Sequence, residues 1–483
     1  MSALVVGATM LDRVRSLTPI LKSNDLRGAV PELWGPDEAW GLGAAIAQSF
    51  NESPALLVGH DMRLSGVELA EALASGARTA GMNVIMLGQI STDTMYYASG
   101  AMDLPGAMLT ASHNPAGDNG LKLVRPGAKP VSRDNGLRQI VEQAERCTPA
   151  TLGTAFSGDI THKDVIPDFA RFLRQTVDLA SIRRLKVVVD AGNGMGGMVV
   201  DAVLGTAVGL PELALDLVRL YFEPDGTFPN HPADPLDPKN LEDLQRTVVE
   251  SGADIGLAFD GDADRCFVVD QKGQVVPPSV IGQIIALREV ALELAAGRPA
   301  VIVRNAITSQ ALAEAVEAAG GQTVRTRVGH GIIKPTMAKL DAVFGAEHSG
   351  HFYFRDFYYA DSGILTALHI LAALGTEELQ LSDMVDQHSP YVSSGEINFP
   401  VADPVHSVQK VQQAYAAEAA QGAVTLDALD GLTVNHWSQQ PRWWANVRPS
   451  NTEPLLRLNV EAEDPEVMSK VRDGIAGIVG EVS

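Results

Sequence analysis

The sequence predicts an α/β protein of several domains, and three observations support that prediction. Apolar, β-branched runs alternate with longer amphipathic patterns, which is typical of sheets layered with helices. The chain has 483 residues, more than one hydrophobic core usually serves, so we expect three or four domains. Hydrophobic residues make up 46% and charged residues 20% of the chain, as in ordinary folded proteins.

Short apolar runs predict the strands, and longer amphipathic runs that end on glycine predict the helices. The predicted strands are ALLVG (55–59), NVIMLG (83–88), LKVVVD (185–190), DIGLAFD (254–260) and AVIVRN (300–305). The predicted helices cover 65–81 and 309–321. Residues 270–276 predict a hairpin turn, and the proline-rich stretch 222–238 predicts an ordered loop or a linker.

The last hundred residues predict a smaller α+β domain. A helix is expected at 407–421, then strands at TVNHW, WWANV and LLRLNVEAE, then a closing helix. Changes in composition place the domain boundaries near 155, 273 and 388. The predicted domains are therefore 1–155, 156–273, 274–388 and 389–483. The sequence contains no visible internal repeat and no low-complexity tract.

Charge and cysteine usage exclude several classes of function. The formal net charge of -22 argues against a nucleic-acid partner or an anionic membrane surface, because both attract basic proteins. The two cysteines, Cys147 and Cys266, do not make a disulfide framework or a metal-binding spacing, which fits a reducing compartment. The N-terminus lacks a signal-peptide pattern and no apolar run is long enough to span a bilayer. We expect a cytoplasmic protein.

The loop DGDADR (260–265) predicts a metal site. Asp260, Asp262 and Asp264 follow a buried strand, and Gly261 is expected to allow the turn that brings their carboxylates together. Hard oxygen ligands of this kind suit Mg²⁺ or Ca²⁺. An EF-hand is excluded because no glutamate stands at the twelfth position. The alternative is a solvated acidic turn; with a metal bound, Arg265 is free to hold a phosphate.

A second polar loop, RPSNTEP (448–454), suits a phosphate group. It follows a predicted strand and combines a guanidinium with short hydroxyl and amide donors. The candidate ligands are Arg448, Ser450, Asn451 and Thr452. The alternative is a simple polar turn.

The glycine-rich turn FGAEHSGH (344–351) suits a sugar. Glu347 and Ser349 could exchange hydrogen bonds with vicinal hydroxyls, and His348 and His351 are candidates for phosphate contact or proton transfer. The pair of histidines also suggests zinc, but the intervening glycine interrupts the helical spacing that such sites use.

The loop GNGMGG (192–197) satisfies the dinucleotide-binding pattern, with Asp216 about twenty residues further on. The acidic and phosphate-type loops have no role in hydride transfer. We therefore interpret it as a packing turn between a strand and a helix.

The loop LTASHNP (109–115) presents Ser112 beside His113. Adjacent residues of an extended chain point to opposite faces, so His113 is poorly placed to activate Ser112 as a hydrolase nucleophile. A serine that carries a phosphoryl group needs no triad, because positioning and charge neutralisation catalyse that transfer.

Four of these loops, the serine, aspartate, sugar-type and phosphate-type loops in this order along the chain, resemble those of the α-D-phosphohexomutase superfamily. NDLRG (24–28), VGHDMRLSG (58–66), NPAGDNGLK (114–122), PDGTFPNH (224–231) and RVGHGIIK (327–334) agree with it. The EHSGH form, continued as FYFRDFYYADSGI, looks most like phosphomannomutase/phosphoglucomutase members. The resemblance implies four domains around a central cleft, three related α/β units with mixed sheets and a smaller C-terminal α+β domain.

The resemblance also implies a mechanism. Ser112 would be a phosphoserine that converts a hexose 1-phosphate or 6-phosphate of mannose or glucose into the 1,6-bisphosphate, then takes back the other phosphoryl group. Mg²⁺ would bind at Ser112 and the three aspartates. The remaining implied roles are phosphoryl contact by Arg27, His113, Lys122 and Arg265, proton transfer by Lys122 or His351, and substrate binding by Arg304, His330, Glu347, Ser349 and the 448–452 loop.

Small departures from the family pattern concern sugar preference and domain closure, not the phosphoryl chemistry. They are Asn24, Asp234 and Ala346. The expected partners are small hexose phosphates, with no nucleic acid and no membrane, in a monomer or homodimer. Two rival functions remain open: a metal-dependent sugar-phosphate phosphatase, and a non-catalytic sugar-phosphate sensor of the same fold.

Overall fold

The computed structural model describes residues 15–153, 155–450 and 455–480. Within these ranges the chain forms four sheets, three of them mixed and one antiparallel. Helices cover the mixed sheets, so the predicted α/β class with a C-terminal α+β domain is confirmed. The predicted domain boundaries stay a prediction. Short 3-10 turns lie at Thr18–Ile20, Pro126–Ala128, Arg133–Asn135, Pro238–Leu241 and Arg355–Phe357.

The first sheet has the order β1-β5-β4-β2-β3-β7, with β6 paired to β5. Its strands are β1 Leu26–Ala29, β2 Ala55–His60, β3 Asn83–Gln89, β4 Gly106–Leu109, β5 Asp118–Arg125, β6 Lys129–Pro130 and β7 Ile160–His162. The helices of this part of the chain are α1 Pro36–Ser49, α2 Gly66–Thr79, α3 Thr92–Met102, α4 Leu137–Ala144 and α5 Pro149–Leu152.

The second sheet has the order β12-β11-β10-β8-β9. Its strands are β8 Leu185–Asp190, β9 Leu215–Leu220, β10 Ile255–Phe259, β11 Cys266–Asp270 and β12 Val275–Val276. The helices are α6 Ile166–Thr176, α7 Gly196–Val203 and α8 Glu242–Ser251.

The third sheet has the order β14-β13-β15-β16-β17. Its strands are β13 Val301–Asn305, β14 Gln322–Thr326, β15 Phe344–Ala346, β16 Phe352–Phe354 and β17 Ala360–Asp361. The helices are α9 Pro278–Ala295, α10 Gln310–Ala318, α11 His330–Leu340, α12 Gly363–Thr376 and α13 Leu381–His388.

The fourth sheet is antiparallel, in the order β18-β22-β21-β20-β19. Its strands are β18 Val392–Pro400, β19 Thr425–Asp427, β20 Leu432–Asn435, β21 Trp443–Pro449 and β22 Leu455–Ala462. The helices are α14 Pro404–Ala414, α15 Ala416–Ala420 and α16 Pro465–Gly480.

A shared topology relates the first three sheets, although the sequence shows no repeat. In each sheet, one strand has a parallel neighbour on one side and an antiparallel neighbour on the other. The antiparallel neighbour is the next strand along the chain, which gives the pairs β4–β5, β10–β11 and β15–β16. The loops of these three antiparallel pairs cover 110–117, 260–265 and 347–351. The serine, aspartate and sugar-type motifs therefore occupy equivalent positions, at carboxyl ends of parallel strands, where α/β proteins bind ligands.

The apolar cores follow the sheets, with one exception. Separate clusters fill the first and the fourth sheet regions. The largest cluster continues from the second sheet into the third, where Val189, Phe259, Ile302 and Leu368 belong to one packed set. No single helix of the described chain is long and apolar enough to cross a membrane; α12 and α13 pass that test only as a pair bent by 102°, by length and composition alone.

Most of the predicted elements are confirmed. The five predicted strands appear as β2, β3, β8, β10 and β13, the two predicted helices as α2 and α10, and the 270–276 turn joins β11 to β12. The predicted helix at 407–421 begins earlier and is divided into α14 and α15 at Tyr415. It begins earlier because Asp403 caps it, accepting a hydrogen bond from the His406 amide at 3.0 Å, and Pro404 suits the first helical position.

Candidate active site

Ser112 lies in a strained turn after β4. Its φ is +49°, in the left-handed region that non-glycine residues rarely adopt. Its backbone amide donates a hydrogen bond to Thr110 Oγ1 at 2.9 Å. Its side chain is almost fully buried. The surrounding structure therefore holds Ser112 in one costly conformation, as is common at functional sites.

Arg63 supplies much of that constraint. Its guanidinium donates to four carbonyl oxygens of the serine loop and its exit, at 2.7–2.8 Å; they belong to Ser112, Asn114, Pro115 and Asp118. The arginine side chain is fully buried and lies 3.3 Å from the Asp61 carboxylate. In the sequence this arginine is visible only as part of the VGHDMRLSG motif and was not predicted as a site residue. Its residue type gives no sign that it holds a loop more than 48 residues away.

The carboxylates of the three aspartates converge within the 260–265 loop. Their closest carboxylate oxygens all lie within 4.8 Å of one another, and all three side chains are buried. The Oδ1 atoms of Asp262 and Asp264 have no hydrogen-bond partner among the described residues. Buried carboxylates this close repel each other, and the two Oδ1 atoms that accept no hydrogen bond are open to a cation. The donor set therefore fits a hard divalent cation such as Mg²⁺.

Ser112 meets this cluster directly. Its Oγ donates a hydrogen bond to Asp260 Oδ2 at 2.8 Å. A Cβ at Gly261 would lie 2.4 Å from the Ser112 carbonyl oxygen, so a side chain there would force the loops apart. Gly261 was expected to make the turn of the aspartate loop. Instead the left-handed φ, +61°, belongs to Ala263, and Gly261 matters because the two loops approach backbone to backbone.

Two cations compensate the carboxylates. Lys122 Nζ lies 2.6 Å from Asp262 Oδ2 and 2.5 Å from Asp264 Oδ2. Arg265 Nε donates to Asp260 Oδ2 at 2.9 Å. Burial opposes ionisation of Asp262, but Lys122 outweighs it and holds the pKa of that carboxyl below its usual range. Burial and the charge of Asp262 raise the pKa of Asp264 to about 6.

His113 and Arg27 flank the serine. His113 Nδ1 lies 2.5 Å from an Arg265 guanidinium nitrogen and 3.4 Å from Ser112 Oγ. Burial and the Arg265 charge lower the pKa of His113 to about 2. The imidazole is therefore neutral at physiological pH, with Nδ1 accepting from Arg265. Arg27 is bonded to Asp25 at 2.8 Å and donates to Asn114 Oδ1 at 3.1 Å.

His351 joins the cluster from the third sheet. Its Nδ1 lies 2.9 Å from Asp361 Oδ2 and 3.9 Å from Asp264 Oδ1. Burial disfavours the imidazolium, but the two carboxylates outweigh burial and raise the pKa of His351. Lys334 Nζ lies 2.6 Å from Asp361 Oδ1 and 3.9 Å from the centre of the Tyr96 ring. Lys334 and Asp361 lie within longer motifs of the sequence and were not predicted as site residues.

The other residues of the sugar-type loop bond within the third sheet region. Glu347 is buried and accepts hydrogen bonds from the Tyr353 hydroxyl at 2.5 Å, the Gly329 amide at 3.0 Å and Asn305 Nδ2 at 3.2 Å. Ser349 is half-buried. His348 Nδ1 lies 3.2 Å from Ser279 Oγ. In the described chain His348 belongs to no cluster of potential metal ligands, whereas His351 lies in one with Asp264 and Asp361, so the two histidines do not share one site.

The predicted phosphate loop is described in part. Arg448 donates to Glu396 Oε2 at 2.6 Å, and Ser450 Oγ lies 3.4 Å from an Arg457 nitrogen. Asn451 and Thr452 lie outside the described residues. Arg304 is buried and donates to Gln310 Oε1 at 3.2 Å; burial lowers its pKa to about 10. His330 begins α11, and its side chain is not described.

The structure thus divides the predicted site residues into two groups. The first is linked by hydrogen bonds and ion pairs around Ser112 and contains His113, Lys122, Asp260, Asp262, Asp264, Arg265 and, through Asp264, His351. Arg27 lies against the same serine loop through Asn114. The second group, Arg304, Glu347 and Arg448, makes its side-chain hydrogen bonds within the third and fourth sheet regions.

The GNGMGG loop packs against the aspartate loop. A Cβ at Gly196 would lie 2.8 Å from Phe259 Cβ, and one at Gly197 would lie 2.3 Å from the Phe222 carbonyl oxygen. The Met195 amide donates to the Gly261 carbonyl at 2.9 Å. The glycines therefore allow the start of α7 to pack closely against the end of β10 and the segment after β9, which agrees with the packing-turn interpretation.

Comparison with known proteins identifies one family along most of the chain. Models of the phosphoglucomutase/phosphomannomutase family match consecutive stretches. Alpha/beta/alpha domains I, II and III match residues 19–149, 167–273 and 282–391, and the C-terminal domain matches 396–478.

Individual relatives agree with the family models. The phosphomannomutase of Escherichia coli K12 is 36% identical over 455 residues, 93% of this chain and 96% of that protein. A protein of Xanthomonas campestris described as phosphohexose mutases is 37% identical over 456 residues, 94% of this chain and 97% of that protein. A crystal structure of a phosphoglucomutase/phosphomannomutase family protein from Burkholderia thailandensis superposes with a TM-score of 0.82 at 29% identity, covering 96% of this chain and 98% of that one. The chain therefore belongs to the phosphoglucomutase/phosphomannomutase family and is a mutase, an intramolecular phosphotransferase.

Proposed function

We propose that the protein is a phosphohexomutase that interconverts the 1-phosphate and 6-phosphate of mannose, of glucose or of both. The observation that carries this proposal is the position of Ser112, whose Oγ bonds to Asp260 within a buried carboxylate cluster flanked by Lys122 and Arg265. Phosphoryl transfer needs such a combination of a fixed oxygen, a cation site and neighbouring positive charge. The printed names of the E. coli and X. campestris relatives support the substrate class.

Ser112 is the phosphoryl carrier in this proposal. In the first half-reaction the bond between Ser112 Oγ and phosphorus breaks while a hydroxyl oxygen of the hexose monophosphate forms the new bond, which gives the hexose 1,6-bisphosphate. After the bisphosphate has turned end for end, its other phosphoryl group returns to Ser112. Arg27 and Arg265 hold phosphoryl oxygens, and the neutral His113 contributes hydrogen bonding without adding charge.

Asp260, Asp262 and Asp264, with an oxygen of phosphorylated Ser112, would hold Mg²⁺. Bound there, the ion would offset negative charge on the phosphoserine. The unpaired Oδ1 atoms of Asp262 and Asp264 support this ligand set.

The hydroxyl proton must leave as the sugar oxygen attacks. Lys122 and His351 are the two groups of the cluster that can move it. We assign the acceptor role to His351, because its Nδ1 lies 2.9 Å from Asp361 Oδ2 and that carboxylate can stabilise the imidazolium formed when the ring takes up the proton. Lys122 instead keeps its ammonium between two carboxylates.

The second group of residues would bind the rest of the substrate. Glu347 and Ser349 would read the sugar hydroxyls; three of about four acceptor positions of the Glu347 carboxylate are already taken, which leaves one for a hydroxyl. Arg448, Ser450, Asn451 and Thr452, with Arg304 and His330, would bind the distal phosphate. We further propose that the protein is cytoplasmic, which fits its scarcity of cysteine. We also propose that it is a monomer or a homodimer.

A coupled assay with mannose 1-phosphate, glucose 1-phosphate and glucosamine 1-phosphate, supplied with Mg²⁺ and a trace of hexose 1,6-bisphosphate, tests the reaction. We expect 6-phosphate products from the first, the second or both. We also expect the purified protein to carry one phosphoryl group on Ser112, seen by intact mass and lost in Ser112→Ala together with at least about 1,000-fold of the activity.

Three outcomes contradict the proposal. Release of inorganic phosphate without any 6-phosphate product would indicate the phosphatase. Ligand binding by both the native protein and Ser112→Ala, with no turnover by either, would indicate the sensor. Normal turnover by Ser112→Ala would exclude Ser112 as the carrier.

A further inference from the structure

The first turn of α3 lies against the aspartate loop. Thr92 Oγ1 donates a hydrogen bond to Asp262 Oδ2 at 2.5 Å, and the Thr92 amide donates to the Asp262 carbonyl at 3.0 Å. Thr92 is fully buried. The next residue, Asp93, accepts a hydrogen bond at 2.7 Å from Ser362, the N-cap of α12 in the third sheet region. One helix turn therefore touches both of the neighbouring sheet regions.

The Thr92 hydroxyl has no task in its own helix. Ser91 is the N-cap of α3, and its side chain accepts from the Thr94 amide. The backbone hydrogen bond of Thr92 already attaches α3 to the aspartate loop. Among the described residues, Thr92 Oγ1 makes its hydrogen bond to Asp262. The hydroxyl therefore acts on that carboxylate, and neither capping nor docking accounts for it.

This hydrogen bond makes the two oxygens of Asp262 different. Oδ2 accepts from both Thr92 and Lys122, at 2.5 and 2.6 Å. Oδ1 is buried and accepts from no described residue. Two donors on one oxygen fix the torsion of the carboxylate and leave Oδ1 as the oxygen that is open to a cation. Groups that hold a ligating carboxylate in this way commonly change metal affinity 10- to 100-fold.

We propose that Thr92 is a positioning residue of the metal site, which orients Asp262 so that Oδ1 faces the cation. The inference rests on the proposed function, since it assumes that Asp262 is a ligand. It assigns a role to the first turn of α3, which contributes no ligand itself.

The test is direct titration of the full-length protein with Mn²⁺, followed by calorimetry or electron paramagnetic resonance, at one phosphorylation state checked by mass. Thr92→Val keeps the shape and the backbone hydrogen bond but loses the hydroxyl. We expect its Kd for Mn²⁺ to rise by about 10- to 100-fold. Thr92→Ser restores the hydroxyl and should stay within about threefold of the native protein.

Thr94→Val is the matched control, because it removes a fully buried hydroxyl from the same helix turn that bonds to Ser91 and not to the metal loop. It should leave the Mn²⁺ affinity unchanged. If Thr92→Val fails to fold, Thr92→Cys replaces it, and its weaker donor should give a Kd between those of the native protein and Asp262→Asn.

The outcomes separate this inference from the proposed function. Native affinity in Thr92→Val or Thr92→Cys, together with loss of binding in Asp262→Asn, would overturn the role of Thr92 and leave the metal site standing. Mn²⁺ binding that does not depend on Asp262 would overturn the proposed metal site, and the inference with it. Equal loss in Thr92→Val and Thr94→Val would mean that the turn is only structural.

Discussion

Ser112 and Gly261 show how closely two loops from different sheets approach. The serine carbonyl occupies the space that a Cβ at position 261 would need. The same carbonyl oxygen accepts a hydrogen bond from the Arg63 guanidinium. The distance from Ser112 Oγ to Asp260 therefore depends on a residue that has no side chain.

Gly261→Ala should lower activity by about 100-fold or more, because moving a reacting group by roughly 1 Å is enough for such a loss. The new methyl group meets backbone, which cannot rotate away. The turnover rate and the stoichiometry of phosphate on Ser112, measured with hexose phosphate and Mg²⁺, check this. Gly474→Ala, in the open surface of α16, is the control and should keep full activity. Full activity in Gly261→Ala would show that the loops can separate without loss.

The sequence allowed the reacting residues to be named but not the residues that hold them. Ser112 and the three aspartates stand in short motifs whose chemistry is visible in the residue types. Arg63, Thr92, Lys334 and Asp361 act through contacts between segments far apart in the chain. No local pattern encodes such a contact, because it exists only once the sheets have packed together.

At the scale of elements, the C-terminal end of α9 is fixed by one carboxylate between two arginines. Glu293 accepts paired hydrogen bonds from Arg298, at 2.5 and 2.9 Å, and from Arg355, at 2.7 and 2.9 Å. Its side chain is only 3% exposed. These hydrogen bonds lower the pKa of Glu293 from 4.5 to about 2. The end of α9 is thereby tied to the turn after β16.

Glu293→Gln should destabilise the protein by about 1 to 2 kcal/mol at neutral pH. The pKa shift of Glu293 sets an upper limit of about 3 kcal/mol on this loss of stability. Solvent around the half-exposed Arg298 screens part of the interaction, so we expect a smaller loss. A lowered pKa stabilises the folded state above pH 4.5, and this stabilisation is lost as the pH falls toward about 2.

Urea unfolding at a series of pH values checks this expectation. The difference between the native protein and Glu293→Gln should shrink on acidification from neutral pH. The exposed Glu142 of α4 provides the control, and Glu142→Gln should change stability by less than about 0.5 kcal/mol at any pH. A gap that stayed constant across the series would contradict the lowered pKa.

Elements with strong periodicity were predictable, and their ends were less so. β8 and β13 contain the β-branched apolar runs VVV (187–189) and VIV (301–303), which favour buried strands. The division at Tyr415 could not be predicted, because the Ala- and Gln-rich composition on both sides of it favours one continuous helix. The shared topology of the first three sheets could not be predicted from the sequence either. A shared topology fixes where apolar runs fall along the chain, but it does not require the same residues in them, so no sequence repeat results.

At the scale of the whole molecule, hydrogen bonds to carboxylate side chains hold the fourth sheet region to the third. Asp430 accepts from the Val328 amide at 2.9 Å, Glu461 from the Gln310 amide at 2.9 Å, and Glu314 from Trp437 Nε1 at 2.7 Å. The Val328 contact lies two residues before α11, next to the segment that the resemblance assigns to substrate binding.

Asp430→Ala should expose the Val328 amide to solvent exchange. Loss of a hydrogen bond to a carboxylate, about 1.5 to 3 kcal/mol, corresponds to roughly 10- to 100-fold faster exchange. Hydrogen-exchange mass spectrometry of peptides that cover 326–332 measures it. Asp430→Asn keeps an acceptor and should give an intermediate rate, whereas Asp386→Ala, at an exposed position, should change nothing. Unchanged exchange in Asp430→Ala would mean that other contacts protect this segment.

The first three sheet regions meet through side-chain hydrogen bonds and also through glycines at which backbone faces backbone. A Cβ at Gly226 would lie 2.6 Å from the Met62 carbonyl oxygen, and one at Gly363 would lie 2.6 Å from the Ala263 carbonyl oxygen. Gly261 makes the same kind of contact with the Ser112 carbonyl oxygen. Such contacts contain no rotatable side-chain bond. The relative placement of serine and aspartate loops is therefore set by covalent geometry and peptide planes, so thermal rotamer exchange adds no positional uncertainty at these contacts.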